Sequence, residues 1–410
     1  MPSPGSTADV DPPWPWEAMP AAQQPTWREH AAYQEARRTL ALARPLVSAA
    51  ETRHLRGVLS HVTRTDALLL QLGDCAESLE ECSAFHTAKK LRVIDVLADR
   101  FSDLTGRSVI RVGRMGGQFA KPRSQDTERH GEFTVPSFRG HMINSEIATP
   151  TAREPDPSRM LWAYDAGDTV QRAMRTHRRG HERERNTAGQ GPWSSHEALV
   201  IDYETPLVRR DADTGELYLT STHLPWVGER TRQPGGAHVA LLASVANPVG
   251  CKIGPATTPD EVLTLCRALD PGREPGRLVL IPRMGRTRIR EVLGPIVRRV
   301  AHAGHPVIWL CDPMHGNTVT SSSGRKTRRL TDVIAEALSF RDIVEENRQY
   351  AAGLHIEVAA EEVTECIGGS VESEADLGRH YTSLCDPRLN VEQAGELIEA
   401  WAKGAATGRP

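Results

Sequence analysis

Short apolar runs alternate along this chain with longer stretches in which apolar residues recur every three or four positions. The runs are Leu68-Leu69-Leu70, Val109-Ile110-Arg111-Val112, Cys251-Lys252-Ile253, Leu278-Val279-Leu280-Ile281, Val307-Ile308-Trp309-Leu310 and Leu354-His355-Ile356. Too short for helices, they predict strands buried on both faces, as in a parallel sheet. Between them, Leu91, Ile94, Leu97 and Phe101 share one helical face, as do Ile289, Val292, Leu293, Ile296 and Val300. Gly294-Pro295 interrupts the second stripe, so a kink or break is expected there. Residues 27–60 are dominated by Ala, Leu, Arg and Glu and read as helical. Residues 1–15, rich in Pro, Ser, Gly and Asp, predict a disordered N-terminus. The expected organisation is a helical extension over 16–60 and a catalytic domain over 61–405.

Polar clusters begin where the predicted strands end: Gly73-Asp74-Cys75, Gly113-Arg114, Gly254-Pro255, Pro282-Arg283 and Asp312-Pro313-Met314-His315. That edge is the catalytic face of a (β/α)8 barrel. A doubly wound sheet also binds ligands there, but no G-x-G-x-x-G opens a helix after the first strand. The pattern therefore favours an α/β chain folded as a (β/α)8 barrel. Two of its eight strands, near 140–145 and 221–227, are weakly marked.

Charge and composition narrow the partners. Over 410 residues the net charge is -3, and six Phe, six Tyr and eight Trp are too few to suggest base-stacking platforms, so a small molecule is favoured over nucleic acid. The densest basic stretch, residues 171–186, is interrupted by Glu182 and Glu184 and has no interleaved aromatic. It reads as a solvated helix or loop rather than a nucleic-acid arm. Seven scattered cysteines make no disulfide framework, and no apolar run approaches the roughly 18 residues of a membrane span. With no signal-peptide pattern at the N-terminus, a cytoplasmic location is expected.

Cys75, His315, Glu357 and Asp386 each lie past an apolar run or in an irregular loop, and together they suit one divalent transition ion. Alone, each reads more readily as a buried Cys, a core His or a capping acid. Their shared context carries the assignment, and without any C-x-x-C the site reads as catalytic rather than structural. Arg114, Arg123, Arg230, Arg283 and Lys252 sit in Gly/Pro-punctuated motifs near strand ends and look aimed at phosphates or carboxylates. Glu229, beside Arg230, reads as a general base, an orienter of that arginine, or one half of a plain ion pair.

These residues fall within an ordered series of motifs: Gln23-Gln24-Pro25, Gly73-Asp-Cys-Ala-Glu77, Val112 through Ser124 (VGRMGGQFAKPRS), Ser195-His-Glu-Ala198, Trp226 through Gln233 (WVGERTRQ), Lys252-Ile-Gly-Pro255, Arg283-Met-Gly285, Cys311 through Asn317 (CDPMHGN), Lys326-Thr-Arg328, Thr364 through Gly369 (TECIGG) and Cys385 through Asn390 (CDPRLN). The series resembles the type II 3-deoxy-D-arabino-heptulosonate 7-phosphate (DAHP) synthases, which open the shikimate pathway. That resemblance implies a (β/α)8 barrel that condenses phosphoenolpyruvate with erythrose 4-phosphate and releases phosphate. It makes Cys75, His315, Glu357 and Asp386 the ligands of one divalent ion, Mn2+ or Co2+. It puts Arg114, Glu229, Arg230, Lys252 and Arg283 around phosphoenolpyruvate, with Lys252 and Glu229 as proton-handling groups. Lys121, Arg123, Ser124, Glu197 and Lys326 are placed around erythrose 4-phosphate. A homo-oligomer, dimer or tetramer, is also implied.

Departures from the family pattern refine the expectation. Between Asp156-Pro-Ser-Arg159 and Ser195 the chain is shorter than the large members, lacking a helical pair that contributes to aromatic amino-acid feedback sites. It resembles instead the short subgroup associated with secondary metabolism of the phenazine type. Phe119 and Phe138 stand where Tyr is expected, and His141 where Asp is. Two alternatives remain open: an aminoDAHP synthase of the aminoshikimate pathway, and a silent regulatory partner of a chorismate-processing enzyme. The latter should have lost a ligand or an anion-binding residue, and none is missing.

Overall fold

The structure, a computed structural model, describes residues 14–407 apart from 65–66 and 186–189. The disorder expected over 1–15 thus lies almost wholly outside the described residues. Eight strands close into a barrel in sequential order, every neighbouring pair parallel: β1 (Ala67–Gly73), β2 (Ser108–Arg114), β3 (Trp193–Glu197), β4 (Leu224–Val227), β5 (Val249–Ile253), β6 (Leu278–Pro282), β7 (Ile308–Cys311) and β8 (Ala351–Glu357). Ahead of the barrel come α1 (Tyr33–Leu42) and α2 (Ala49–Thr63). Each strand is then followed by a helix: α3 (Ala84–Thr105), α4 (Arg159–Arg185), α5 (Ile201–Glu204), α6 (Ala237–Ser244), α7 (Pro259–Leu269), α8 (Ile289–His302), α9 (Leu330–Glu346) and α10 (Val391–Thr407). This is the (β/α)8 barrel that the alternating pattern predicts.

Side chains pointing into the barrel change character along its axis. At the amino end, Leu69, Ile110, Trp193, Leu224, Val279, Ile308 and Ala352 join Leu55, Leu59 and Val62 of α2 in one buried cluster, so α2 plugs the bottom. Burial of each of those leucines stabilises the plug by roughly 2 kcal/mol. The helix starts where it does because Ser48 and Glu51 form a capping box, Ser48 Oγ accepting from the Glu51 amide (3.1 Å) and Glu51 accepting from the Ser48 amide (3.0 Å). Nearer the carboxyl end the inward residues turn polar: Gln71, Ser195, Lys252 and His355. The N-terminal segment is stitched to the region after β3, with Trp16 donating to Thr205, Trp27 and Tyr33 donating to Asp202, and Gln24 bonded to Leu199 and Ile201.

Three expectations are corrected. Residues 140–145 form no strand, and the third barrel strand is instead Trp193–Glu197. It escapes an apolar pattern because its polar side chains are satisfied inside the fold: Ser194 by His223, Ser195 by Gln71 and the Gly113 carbonyl, His196 by Glu204. The weak stretch at 221–227 does hold a strand, Leu224–Val227. Helix α8 is not broken at Pro295, which overturns the expected break; its buried face (Ile289, Leu293, Ile296, Val297, Val300) holds it together despite the missing amide. The helical reading of 27–60 divides at Pro45 into α1 and α2.

Candidate active site

Register brings the carboxyl ends of β2 and β8 together across β1, for Gly73 pairs with both Arg114 and Glu357. Only glycine fits there: φ is 150°, and a Cβ would lie 2.7 Å from the Arg114 carbonyl oxygen. The carboxylate of Glu357, fully buried, accepts from Arg114 Nη2 (2.9 Å) and from Arg328 Nη1 (2.8 Å), and His315 Nε2 lies 3.1 Å away. Burial works against its charge, but His315, Lys121, Arg328 and Arg114 outweigh that and hold the carboxyl well below the usual range.

A relay runs sideways from this point. His315 Nδ1 sits 2.8 Å from Asp312 Oδ2, which also accepts from Lys252 Nζ at 2.8 Å. Asp312 thereby fixes the imidazole, leaves Nε2 facing Glu357, and orients the lysine. Burial and the nearby Arg114 charge depress the Lys252 pKa, Asp312 opposing them, so this ammonium gives up its proton more readily than an ordinary lysine. Below it, His355 accepts from Arg114 through Nε2 and bonds Gln71 through Nδ1 (2.7 Å). Burial and the adjacent cations push its pKa well down, so it is a neutral acceptor.

Cys75 and Asp386 form a second pair. The Asp386 amide donates to Cys75 Sγ (3.2 Å), and the thiol lies 3.7 Å from Asp386 Oδ2. Burial, the neighbouring Cys385 and the Glu357 carboxylate push the Cys75 thiol well up. Lys121 lies between the two pairs, its ammonium 3.5 Å from Glu357 and 3.6 Å from Asp386. Among the described residues, no three His, Cys, Asp or Glu side chains are drawn together into a ready-made cage. The donor set nevertheless fits a divalent ion: a thiol, an imidazole Nε2 whose other nitrogen is held by a carboxylate, and two carboxylates already surrounded by cations.

Above this network opens a pocket of about 390 Å³. Lys121, Arg123, Ser124, Glu197, Glu229, Arg230, Lys252, Arg283, His315, Lys326 and Asp386 all line it, while Cys75, Arg114 and Glu357 are buried behind them. The structure thus gathers every residue singled out in the sequence, in unequal roles. Arg283 donates to the His315 carbonyl (2.7 Å) and Arg230 to Ser124 Oγ (2.5 Å). Glu229 is held by both arms of Arg232 (3.0 and 2.9 Å). Arg123 pairs with Glu128 (2.8 Å), and Lys326 with Asp386 (2.9 Å), so neither cation points solely at the open volume. Glu197 Oε1 is buried with no hydrogen-bond partner among the described residues, lying over Gly228, where a Cβ would be 2.1 Å from it.

Sequence reasoning missed the groups that hold this lining in place. Three buried carboxylates each collect amides from an active-site loop. Glu77 accepts from Gly116, Gly117 and Gln118 (2.9, 3.0 and 2.8 Å), on the approach to Lys121. Glu336 of α9 accepts from Met284 and Gly285 (both 2.8 Å) and from the Asn317 side chain (2.6 Å), tying the Arg283 loop to the His315 loop. Glu365 accepts from Thr382, Ser383 and Arg388 amides, shaping the turn that carries Asp386. The available signal was an isolated acid in an apolar setting, such as Glu336 beside Val333, Ala337 and Phe340.

Comparison with known proteins agrees with this geometry. A sequence profile of the class-II DAHP synthetase family matches residues 12–186 and 168–402. The chain belongs to that family. It is 44% identical over 382 residues to a probable phospho-2-dehydro-3-deoxyheptonate aldolase of Pseudomonas fluorescens, covering 93% of this chain and 94% of that one. It is 38% identical over 425 residues to the phospho-2-dehydro-3-deoxyheptonate aldolase of Streptomyces coelicolor, covering 93% and 94%. A solved structure of the Francisella tularensis enzyme of the same name superposes with a TM-score of 0.54 at 13% identity, covering 92% of this chain and 97% of that one, which speaks for the fold alone. Membership makes the chain a 3-deoxy-7-phosphoheptulonate synthase, with phosphoenolpyruvate and erythrose 4-phosphate as the implied substrates. Class-II DAHP synthases depend on a metal ion. Among the described residues, no helix is long and apolar enough to cross a membrane.

Proposed function

We propose that Arg114, Glu229, Arg230, Lys252 and Arg283 hold phosphoenolpyruvate, that Lys121, Arg123, Ser124, Glu197 and Lys326 surround erythrose 4-phosphate, and that Cys75, His315, Glu357 and Asp386 bind Mn2+ or Co2+. The observation that carries this reading is the Lys252–Asp312–His315 relay, which links the would-be proton donor to a would-be metal ligand through one buried carboxylate. When bound, such an ion supplies polarisation of the aldehyde carbonyl.

The chain's own groups do the rest. Arginines on two sides of the pocket keep both phosphates in register, so that carbon 3 of phosphoenolpyruvate faces the aldehyde carbon and the carbon–carbon bond forms between them. The aldehyde oxygen becomes an alkoxide and takes the proton of Lys252 Nζ. Positive charge then left at carbon 2 is quenched by water, which Glu229, fixed by Arg232, orients and deprotonates. The tetrahedral carbon finally expels inorganic phosphate, giving DAHP. With a single helix, α4, spanning Arg159–Arg185 in place of the longer insertion of large members, the chain is best read as a feedback-insensitive enzyme feeding aromatic secondary metabolism.

Titration calorimetry of phosphoenolpyruvate into wild type and Lys252→Met tests the assignment. Loss of binding by at least about tenfold, or about 1.4 kcal/mol, is expected. Equal affinity in the two proteins would remove Lys252 from the site.

A further inference from the structure

The basic stretch at 171–186 takes no part in the catalytic pocket, yet the structure does not leave it as a plain solvated face. Helix α4 turns Arg175, Arg178 and Arg179 into a cavity of about 570 Å³ bounded by the α1–α2 link, the first turn of α2 and the start of β3. This lies at the amino end of the barrel. The catalytic pocket lies at the carboxyl end, and β3 joins the two, with Trp193 in the cavity wall and Glu197 in the catalytic lining.

The cavity is built rather than incidental. Arg178 is buried, stacked 4.3 Å above the Trp193 ring and bonded to Glu51 Oε1 (2.5 Å) and the Pro192 carbonyl. Glu51, the one acid in the lining among the described residues, is committed to Arg178 and to the Ser48 cap. Its charge is therefore answered. Arg175, which donates to the Leu46 carbonyl (2.7 Å), and Arg179, one helical turn further on, have no carboxylate partner among the described residues. Arg175 and Arg179 stand one helical turn, about 6 Å of rise, apart on α4, and with the positive end of α2 beside them they make a field that attracts an anion. Pro45, Leu46 and Ala50 give the same cavity an apolar side.

We propose that this cavity is a second, non-catalytic site that binds a small organic anion, one carboxylate or phosphate group held by Arg175 and Arg179 and an apolar body resting against Pro45, Leu46 and Ala50. Trp193 and the first turn of α2 wall a solvent-open volume of about 570 Å³, the size of a small molecule, and the apolar side it carries suits a small organic anion better than an extended polyanion.

The test uses the full chain with phosphoenolpyruvate saturating the catalytic pocket. Benzoate and inorganic phosphate are titrated separately by calorimetry into wild type, Arg175→Gln/Arg179→Gln and Arg179→Glu. The expected result is a saturable site in wild type, weakened about tenfold or more in both variants, while kcat and the KM for phosphoenolpyruvate stay unchanged, showing that both variants are folded. Binding of benzoate alone identifies a carboxylate ligand, and binding of phosphate alone a phosphate ester. The proposal is overturned if neither probe binds wild type up to about 10 mM, if binding is equal in the variants, or if only an RNA oligonucleotide competes for Arg175 and Arg179.

Discussion

Removing Glu336 probes how firmly the catalytic loops are held. In Glu336→Ala the amides of Met284 and Gly285 lose their buried acceptor, whereas Asn317 keeps its bond to the Pro313 carbonyl (2.8 Å). Two orphaned buried donors at about 1–3 kcal/mol each, plus the space left by the side chain, put the destabilisation at about 3–5 kcal/mol. Because the lost bonds join the loop of Arg283 to that of His315, phosphoenolpyruvate affinity and metal affinity should fall together. Glu336→Gln separates shape from charge. It keeps an acceptor for both amides but sets two NH2 groups face to face at Asn317, at a cost of about 1–2 kcal/mol.

The same residue has a pH signature. Burial, seconded by Asp312, pushes the Glu336 carboxyl up to about 8 against the hydrogen bonds it accepts. A raised carboxyl pKa means the folded state holds the proton longer than the unfolded one, so stability is greatest below pH 4.5 and falls as pH rises towards 8. Between pH 6 and 8 that amounts to roughly 2 kcal/mol in wild type, and the Gln variant should lack this component. Urea midpoints at the two pH values, with KM and metal titrations on each protein, check both effects. Wild-type stability in Glu336→Ala within about 0.5 kcal/mol, or an unchanged affinity for both ligands, would refute the bracing role.

Other outcomes follow from the same geometry. Arg283→Ala should lower kcat/KM for phosphoenolpyruvate roughly 30- to 1,000-fold through loss of about 2–4 kcal/mol of charge-assisted contact; an unchanged ratio removes Arg283 from the site. Chelation should abolish turnover and Mn2+ or Co2+ restore it, while Cys75→Ser and His315→Ala should bind metal at least about tenfold more weakly in calorimetry; full metal affinity in either variant contradicts the ligand assignment. Phe, Tyr and Trp at millimolar concentration should leave the rate unaltered, since the long insertion is missing and the ammonium of an amino acid is repelled among Arg175 and Arg179; saturable inhibition by any of them would refute this.

Much of the architecture was legible because two periodicities alternate so plainly: Leu68–Leu70, Leu278–Ile281 and Val307–Leu310 announce strands buried on both faces, and the chemistry-bearing residues follow at their carboxyl ends. Strand β3 was not legible. Its Ser194, Ser195 and His196 look like loop residues until their partners are in place: His223 just ahead of β4, Gln71 inside the barrel, and Glu204 at the end of α5. The same holds for the site. Cys75, His315 and Arg283 sit in motifs that can be read locally, but Asp312 serving Lys252 and His315 at once, or Glu336 joining two loops from a helix further along the chain, is information carried by the closed barrel and not by any window of sequence.

The most direct measurement is the reaction itself. Purified, metal-loaded protein is mixed with phosphoenolpyruvate and erythrose 4-phosphate, and loss of phosphoenolpyruvate absorbance is followed alongside phosphate release. One phosphate should appear for each phosphoenolpyruvate consumed, only when erythrose 4-phosphate is present, with DAHP recovered in equal amount, and Lys252→Met should abolish all three signals. Phosphate released without erythrose 4-phosphate, or no consumption of phosphoenolpyruvate by the loaded wild-type protein, would contradict the account.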